Sequence, residues 1–304
     1  MTLIEQATKR LEELRRAGVE LPWSNAQGGI ERNANVAALR PIDAGNDPTA
    51  PASKVAAEEA RGHRRSMTVN LDLQRLQASG FLVPAMVRSE IAREFRDIKR
   101  PLLKNARLEE GAPARGNVIM VTSALPGEGK TFCAINLAMS IAMEVDSHVL
   151  LVDADVLRPT ILKTLGVPPA PGLMDLLADS SADISTFLLR TNVPKLTVLP
   201  SGGSEGNSTE LLASAAMERL LDELSTRYAD RIVVVDSPPL LLTTESRVLA
   251  SRVGQIVMVV EAFRTSQASV AQGFAAVEQC PLVYAVLNKA REKSHANGGY
   301  YGYE

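Results

Sequence analysis

A chain of 304 residues has room for one large domain, or for one domain with appendages. Apolar residues at 45% and charged residues at 22% are ordinary for a soluble globular fold, and a net charge of −2 lacks the basic excess of a general nucleic-acid binder. Two cysteines, Cys133 and Cys280, lie far apart in apolar segments, which excludes a disulfide framework or a metal-ligand spacing and fits a reducing compartment.

Residues 1–22 open with "MTLIEQATKRLEELRRAG", which is charged throughout. It has no apolar core of the kind a secretory signal needs. Ile4, Ala7, Leu11 and Leu14 line one narrow face of an amphipathic helix, suited to docking on a partner or on the chain's own domain. Residues 23–66 shift to Asn, Gly, Ala, Pro and Ser and read as a flexible linker. From Met67, "TVNLDLQRLQASGFLVP" predicts a small strand, a helix and a turn at Gly80. "MVRSEIAREFRDIKRPLLKNA" then predicts a basic amphipathic helix that Pro101 kinks or ends.

Beyond Gly116 the pattern becomes regular. "NVIMVTS", "SHVLLVD", "KLTVLPS", "RIVVVDS", "QIVMVVE" and "LVYAVLN" are short runs rich in Val, Ile and Leu, most of them separated by helical stretches such as "KTFCAINLAMSIAMEV" and "TELLASAAMERLLDELSTRY". Continuous apolar strands alternating with helices predict an α/β fold, a doubly wound, mostly parallel sheet covered on both faces, over residues 67–290. No stretch approaches the roughly 18 apolar residues that span a bilayer, so a cytoplasmic location is expected. Residues 291–304 form a polar, Gly-containing tail that holds Tyr300, Tyr301 and Tyr303, three of the chain's five tyrosines. Such a tail either docks its rings on a surface or is itself a substrate.

The first run leads into "ALPGEGKT", residues 124–131, and then into a helix. Strand, Gly-rich turn and helix N-terminus in that order are what a phosphate-binding loop requires. Gly127 and Gly129 let backbone amides curl around a phosphate, Lys130 reaches the outer phosphates, and the Thr131 hydroxyl holds a magnesium ion. The strict pattern begins with Gly where Ala124 stands here, a small residue that still fits. The second run ends in "DADVLRP", placing Asp153 and Asp155 at the C-terminal edge of the sheet, where ligands of open α/β sheets bind. Two carboxylates at that spacing either share magnesium binding and proton acceptance or cap the following turn. "VVVDSPP" brings Asp236 to the same edge as a Walker B carboxylate. ATP with magnesium follows from the three strand ends together.

These motifs resemble the bacterial tyrosine kinases, a P-loop family related to the MinD/ParA ATPases and unrelated to eukaryotic protein kinases. "LTVLPSGG" followed by "ELLAS", and "EFRDIKRPLLKNA" ahead of the domain, are similar to the stand-alone autokinases of exopolysaccharide and exosortase loci. The resemblance implies a nucleotide seat made by Pro126, Gly127, Glu128, Gly129, Lys130, Thr131 and Phe132, with Arg158 following the acidic motif and Asn288 near the adenine. It implies catalysis by Lys130, Asp153, Asp155 and Asp236, with Thr131, Asp153 and Asp236 toward magnesium and Asp155 as the base for a tyrosine hydroxyl. It also implies phosphorylation of Tyr300, Tyr301 and Tyr303 in trans, control of exopolysaccharide synthesis or export, and recruitment to the inner membrane by a separate membrane-embedded activator, a polysaccharide co-polymerase.

Glu90, Arg93 and Arg96 have the Glu-x-x-Arg-x-x-Arg spacing with which the family closes subunits into a homo-oligomer, as a ring or a transient dimer. Alignment on Phe95 instead puts Arg96 and Lys99 in the two basic positions. A solvated basic helix face is the plainer reading. Two competing functions remain: a MinD/ParA-like ATPase switch without tyrosine phosphorylation, and a nucleotide-gated scaffold with little turnover. The MinD/ParA loop carries an early lysine in a "KGG" context that "ALPGEGKT" lacks, which favours the kinase.

Overall fold

The computed structural model describes residues 67–106, 113–179, 181–203, 208–226, 228 and 230–290. The expected N-terminal helix, linker and tyrosine tail lie outside the described residues. Eight strands form one sheet: β1 (Met67–Val69), β2 (Val118–Ser123), β3 (His148–Asp153), β4 (Leu189–Thr191), β5 (Leu196–Leu199), β6 (Arg231–Asp236), β7 (Gln255–Glu261) and β8 (Val283–Asn288). Their spatial order is β1-β4-β5-β3-β6-β2-β7-β8, and every pairing is parallel except β4 with β5.

Alternate residues of each central strand feed opposite layers. Ile119, Val121, Val149, Leu151 and Val234 join one core, whereas Val118, Met120, Leu150, Val152, Val233 and Val235 join the other. Helices cover both faces, which is why these strands read as unbroken apolar runs rather than alternating ones. The first face carries α1 (Leu73–Ala78), α2 (Glu90–Ala106), α3 (Lys130–Ala142) and α4 (Ile161–Leu165); the second carries α5 (Leu173–Ala178), α6 (Ser208–Ala213), α7 (Ala215–Thr226) and α8 (Thr244–Ala250). A further helix, α9 (Gln267–Ala275), joins β7 to β8.

Two local expectations need correction. Pro101 does not end α2, which continues to Ala106. Leu102 and Ala106 beyond it are buried in the first core, and that burial outweighs the roughly 3 kcal/mol cost of an interior proline. The stretch "TELLASAAMERLLDELSTRY" is not one helix but two, α6 and α7, separated at Ser214. The Ser214 hydroxyl donates to the Leu211 carbonyl and accepts from the Met217 N–H, so it closes one helix and opens the next.

Strand order is what builds the site. β3, β6 and β2 are adjacent although they are far apart in sequence. Asp153 pairs in register with Asp236, and Asp236 with Val121. Neighbouring strands lie about 4.8 Å apart, so the ends of these three bring the acidic motif, the Walker B carboxylate and the glycine loop together at one edge.

Candidate active site

Residues 124–129 turn from β2 into α3 with Gly127 at φ 84° and Gly129 at φ 98°. Both values belong to the left-handed region that glycine enters without strain. A Cβ on Gly129 would also stand 2.0 Å from the Asn288 side-chain nitrogen. No side chain caps the N-terminus of α3, so its first amide groups are left for an anion.

The loop is held from behind. Glu128 is only 2% exposed. One of its carboxylate oxygens accepts the Leu125 N–H at 2.6 Å, and the other accepts the Glu261 N–H and the Thr265 hydroxyl. Asn288 donates to the Glu128 carbonyl at 2.8 Å, and Lys289 donates to the Gly127 carbonyl at 2.8 Å. The side chains of Glu128 and Asn288 therefore brace the loop, and neither residue lines the cavity in front of it. Phe132 packs its ring 5.1 Å from Phe81 and edge-on to Phe95 at 6.5 Å, which ties α3 to α2 and the segment before it.

In front of the loop lies a cavity of about 520 Å³. Pro126, Gly127, Lys130, Thr131 and Phe132 form one wall, and Asp155, Arg158 and Thr160 another. Pro238, Pro239, Leu242 and Thr243 close a third side that the sequence motifs did not single out; only the "DSPP" run hinted at it. Lys130 Nζ meets Asp155 Oδ2 at 2.6 Å, and the Thr131 hydroxyl donates to Asp236 Oδ2 at 2.7 Å. Asp155 also accepts the Arg158 N–H at 3.3 Å, and Asp153 accepts the Ile161 N–H at 3.2 Å. The turn-capping reading of the acidic pair thus holds alongside the chemical one. Thr160, absent from the expected set, places its hydroxyl 3.4 Å from that of Thr131.

Asp153 Oδ1 and Asp236 Oδ1 are buried with no hydrogen-bond partner. Burial, and then the facing Asp236, push the Asp153 carboxyl up to about 8. Burial likewise raises Asp236 to about 7, although Lys130 and the Thr131 hydroxyl pull it back. Two unpartnered carboxylate oxygens beside a threonine hydroxyl suit a hard divalent cation. Among the described residues no group of three or more His, Cys, Asp or Glu converges into a cage. Magnesium keeps much of its water and takes ligands from phosphate, so a few carboxylate oxygens and a hydroxyl can hold it.

Of the oligomerisation residues, Glu90 and Arg93 are exposed, and Arg96 is half-buried, donating to the Val87 carbonyl at 3.0 Å. Lys99 is turned inward: it is 5% exposed and bonds the Ser140 carbonyl and Glu144, each at 2.6 Å. Lys99 thus faces the interior of the domain rather than the exposed side of α2. Tyr300, Tyr301 and Tyr303 lie outside the described residues.

A parallel sheet with a glycine loop at a helix N-terminus and acidic strand ends beside it defines a P-loop nucleotide-binding protein. Residues 116–281, more than half of the chain, match the family described as the AAA domain. The chain is 33% identical over 186 residues to the tyrosine-protein kinase YwqD of Bacillus subtilis (strain 168), covering 60% of this chain and 77% of that relative. It is 37% identical over 143 residues to the putative tyrosine-protein kinase EpsB of Ralstonia nicotianae, covering 47% of this chain but only 18% of that longer relative. The solved kinase domain of the Escherichia coli tyrosine kinase ETK matches with a TM-score of 0.58 at 27% identity, over 69% of this chain and 79% of that one. The chain belongs to the bacterial tyrosine-protein kinase family, within the wider AAA-domain group.

Proposed function

We propose that this chain moves the terminal phosphoryl group of ATP onto tyrosine hydroxyls, and that Tyr300, Tyr301 and Tyr303 of a second copy are its acceptors. The observation that carries the reading is the pairing of Lys130 with Asp155 and of Thr131 with Asp236 across one cavity, with two buried carboxylate oxygens left open beside them. Residues 67–290 act as the kinase domain, residues 1–22 and 23–66 as a docking helix and linker, and residues 291–304 as the substrate tail.

Amides of the loop and of the α3 N-terminus hold the phosphates, and Lys130 turns from Asp155 toward them. Asp155, released from the lysine, stands at the cavity wall to take the phenolic proton. A free phenol has a pKa of about 10, so at neutral pH the proton must leave as the phosphoryl group arrives. Magnesium, when bound, offsets charge on the phosphate oxygens; Thr131, Asp153 and Asp236 are the side chains that would hold it or its water shell. Arg158 adds positive charge at the mouth of the cavity.

The activity serves exopolysaccharide synthesis or export from the cytoplasm, with a membrane-embedded polysaccharide co-polymerase as activator. The membrane contact is made through that partner; among the described residues no helix is long and apolar enough to cross a membrane. Mixing two variants tests transfer between copies. One is Lys130→Met with its tail intact; the other is active but carries Tyr300→Phe, Tyr301→Phe and Tyr303→Phe. Phosphotyrosine on the Lys130→Met chain is the expected result. ATP hydrolysis with neither chain labelled, even with the candidate activator present, would favour a nucleotide switch.

A further inference from the structure

A second cavity, of about 380 Å³, opens at the opposite edge of the sheet. His148 and Arg231 begin β3 and β6 and pair in register. The active-site carboxylates end the same two strands, about 17 Å away at the usual strand rise. Arg190 of β4 and Lys195, just before β5, complete a wall of four basic side chains, and among the described residues no carboxylate lines the cavity with them.

Placing the cations of Arg190, Lys195 and Arg231 together is unfavourable unless something offsets their repulsion. Among the described residues none of the four forms an ion pair. Lys195 donates to the carbonyls of Glu144 and Val145, which satisfies its N–H groups without cancelling its charge. The Arg231 guanidinium lies 5.0 Å from the Tyr228 ring, and its Nε is buried without a hydrogen-bond partner. Of the nearby acids, Asp183 accepts the Ser185 N–H at 2.9 Å and Glu144 pairs with Lys99.

We propose that this cavity is a binding site for a small phosphoryl-bearing anion, separate from the nucleotide site. Arg190 and Arg231 supply forked donors suited to phosphate oxygens, Lys195 adds charge, the His148 ring offers a further donor, and Ser185 lies on the same wall. The volume admits a diphosphate or the phosphate of a single sugar and leaves little room for more.

Calorimetric titration of the full chain with pyrophosphate, and separately with a hexose 1-phosphate, tests the proposal. Lys130→Met weakens phosphate binding at the glycine loop, so the titrations are run in that background as well as in wild type. One binding event with Kd below about 1 mM is expected to persist with Lys130→Met. Arg190→Gln, at an exposed position that leaves the circular dichroism unchanged, is expected to weaken it at least tenfold. Pyrophosphate binding alone would assign a diphosphate, and binding of the hexose phosphate a monoester; either supports the site. No binding in the Lys130→Met background, or binding that Arg190→Gln and His148→Gln both leave unchanged, overturns it.

Discussion

Asp153 and Asp236 face each other across paired strands, and their raised pKa values make the site sensitive to pH. Each is protonated in the folded, metal-free protein at a pH where the unfolded chain has already released that proton. The folded state thus binds more protons from about pH 4 up to about 7 or 8, and its stability falls as pH rises through that window. Magnesium needs the deprotonated oxygens, so its apparent affinity should rise between pH 6 and about 8. Calorimetric scans across that range should show a falling Tm without the ion and a gain on adding it that grows with pH. Asp153→Asn should raise the metal-free Tm at pH 8 and remove most of the gain. A Tm that rises with pH in the metal-free protein would contradict the burial argument. None of this tuning was legible in the sequence, because it arises from the register of β3 against β6. The three carboxylates were legible because they stand at or just beyond the ends of apolar strands, and Lys130 and Thr131 because they follow a Gly-rich turn that opens a helix.

The glycine loop depends on elements that follow it by more than a hundred residues. Asn288 at the end of β8 holds the Glu128 carbonyl and fills the space where a Gly129 Cβ would stand. Asn288→Ala removes one half-buried hydrogen bond, worth about 1 kcal/mol. It should loosen the loop enough to raise the KM for ATP several-fold while leaving the fold intact. Gly129→Ala should abolish nucleotide binding, and adding Asn288→Gly should not restore it, because the φ of 98° still opposes a side chain. Restoration in a direct nucleotide titration would show that the clash, not the backbone, is decisive. Strands buried on both faces were readable as apolar runs. β4 was not: its three residues, Leu-Arg-Thr, carry too short a pattern to register. The break at Ser214 escaped because the apolar spacing runs on past it, and the continuation of α2 past Pro101 depends on packing that only the folded core supplies.

At the scale of the molecule, α2 presents Glu90 and Arg93 outward while Phe95, Lys99 and Leu102 face the core. If copies meet through this helix, Glu90→Lys should lower the oligomer mass in sedimentation, and Glu90→Lys with Arg93→Glu should recover part of it. No change in mass for either would remove α2 from the interface. Each phosphate on the tail adds about −1.5 to −2 charges, so incubation with ATP should favour smaller assemblies. The central claim is transfer of phosphate from ATP to the tail tyrosines. Its most direct test is incubation of the purified chain with ATP and magnesium, with its activator present, followed by phosphosite mapping by mass spectrometry. Phosphate on Tyr300, Tyr301 or Tyr303 in wild type, reduced at least about 10²-fold in Lys130→Met, is the predicted result. ATP turnover with no phosphotyrosine anywhere on the chain would contradict it.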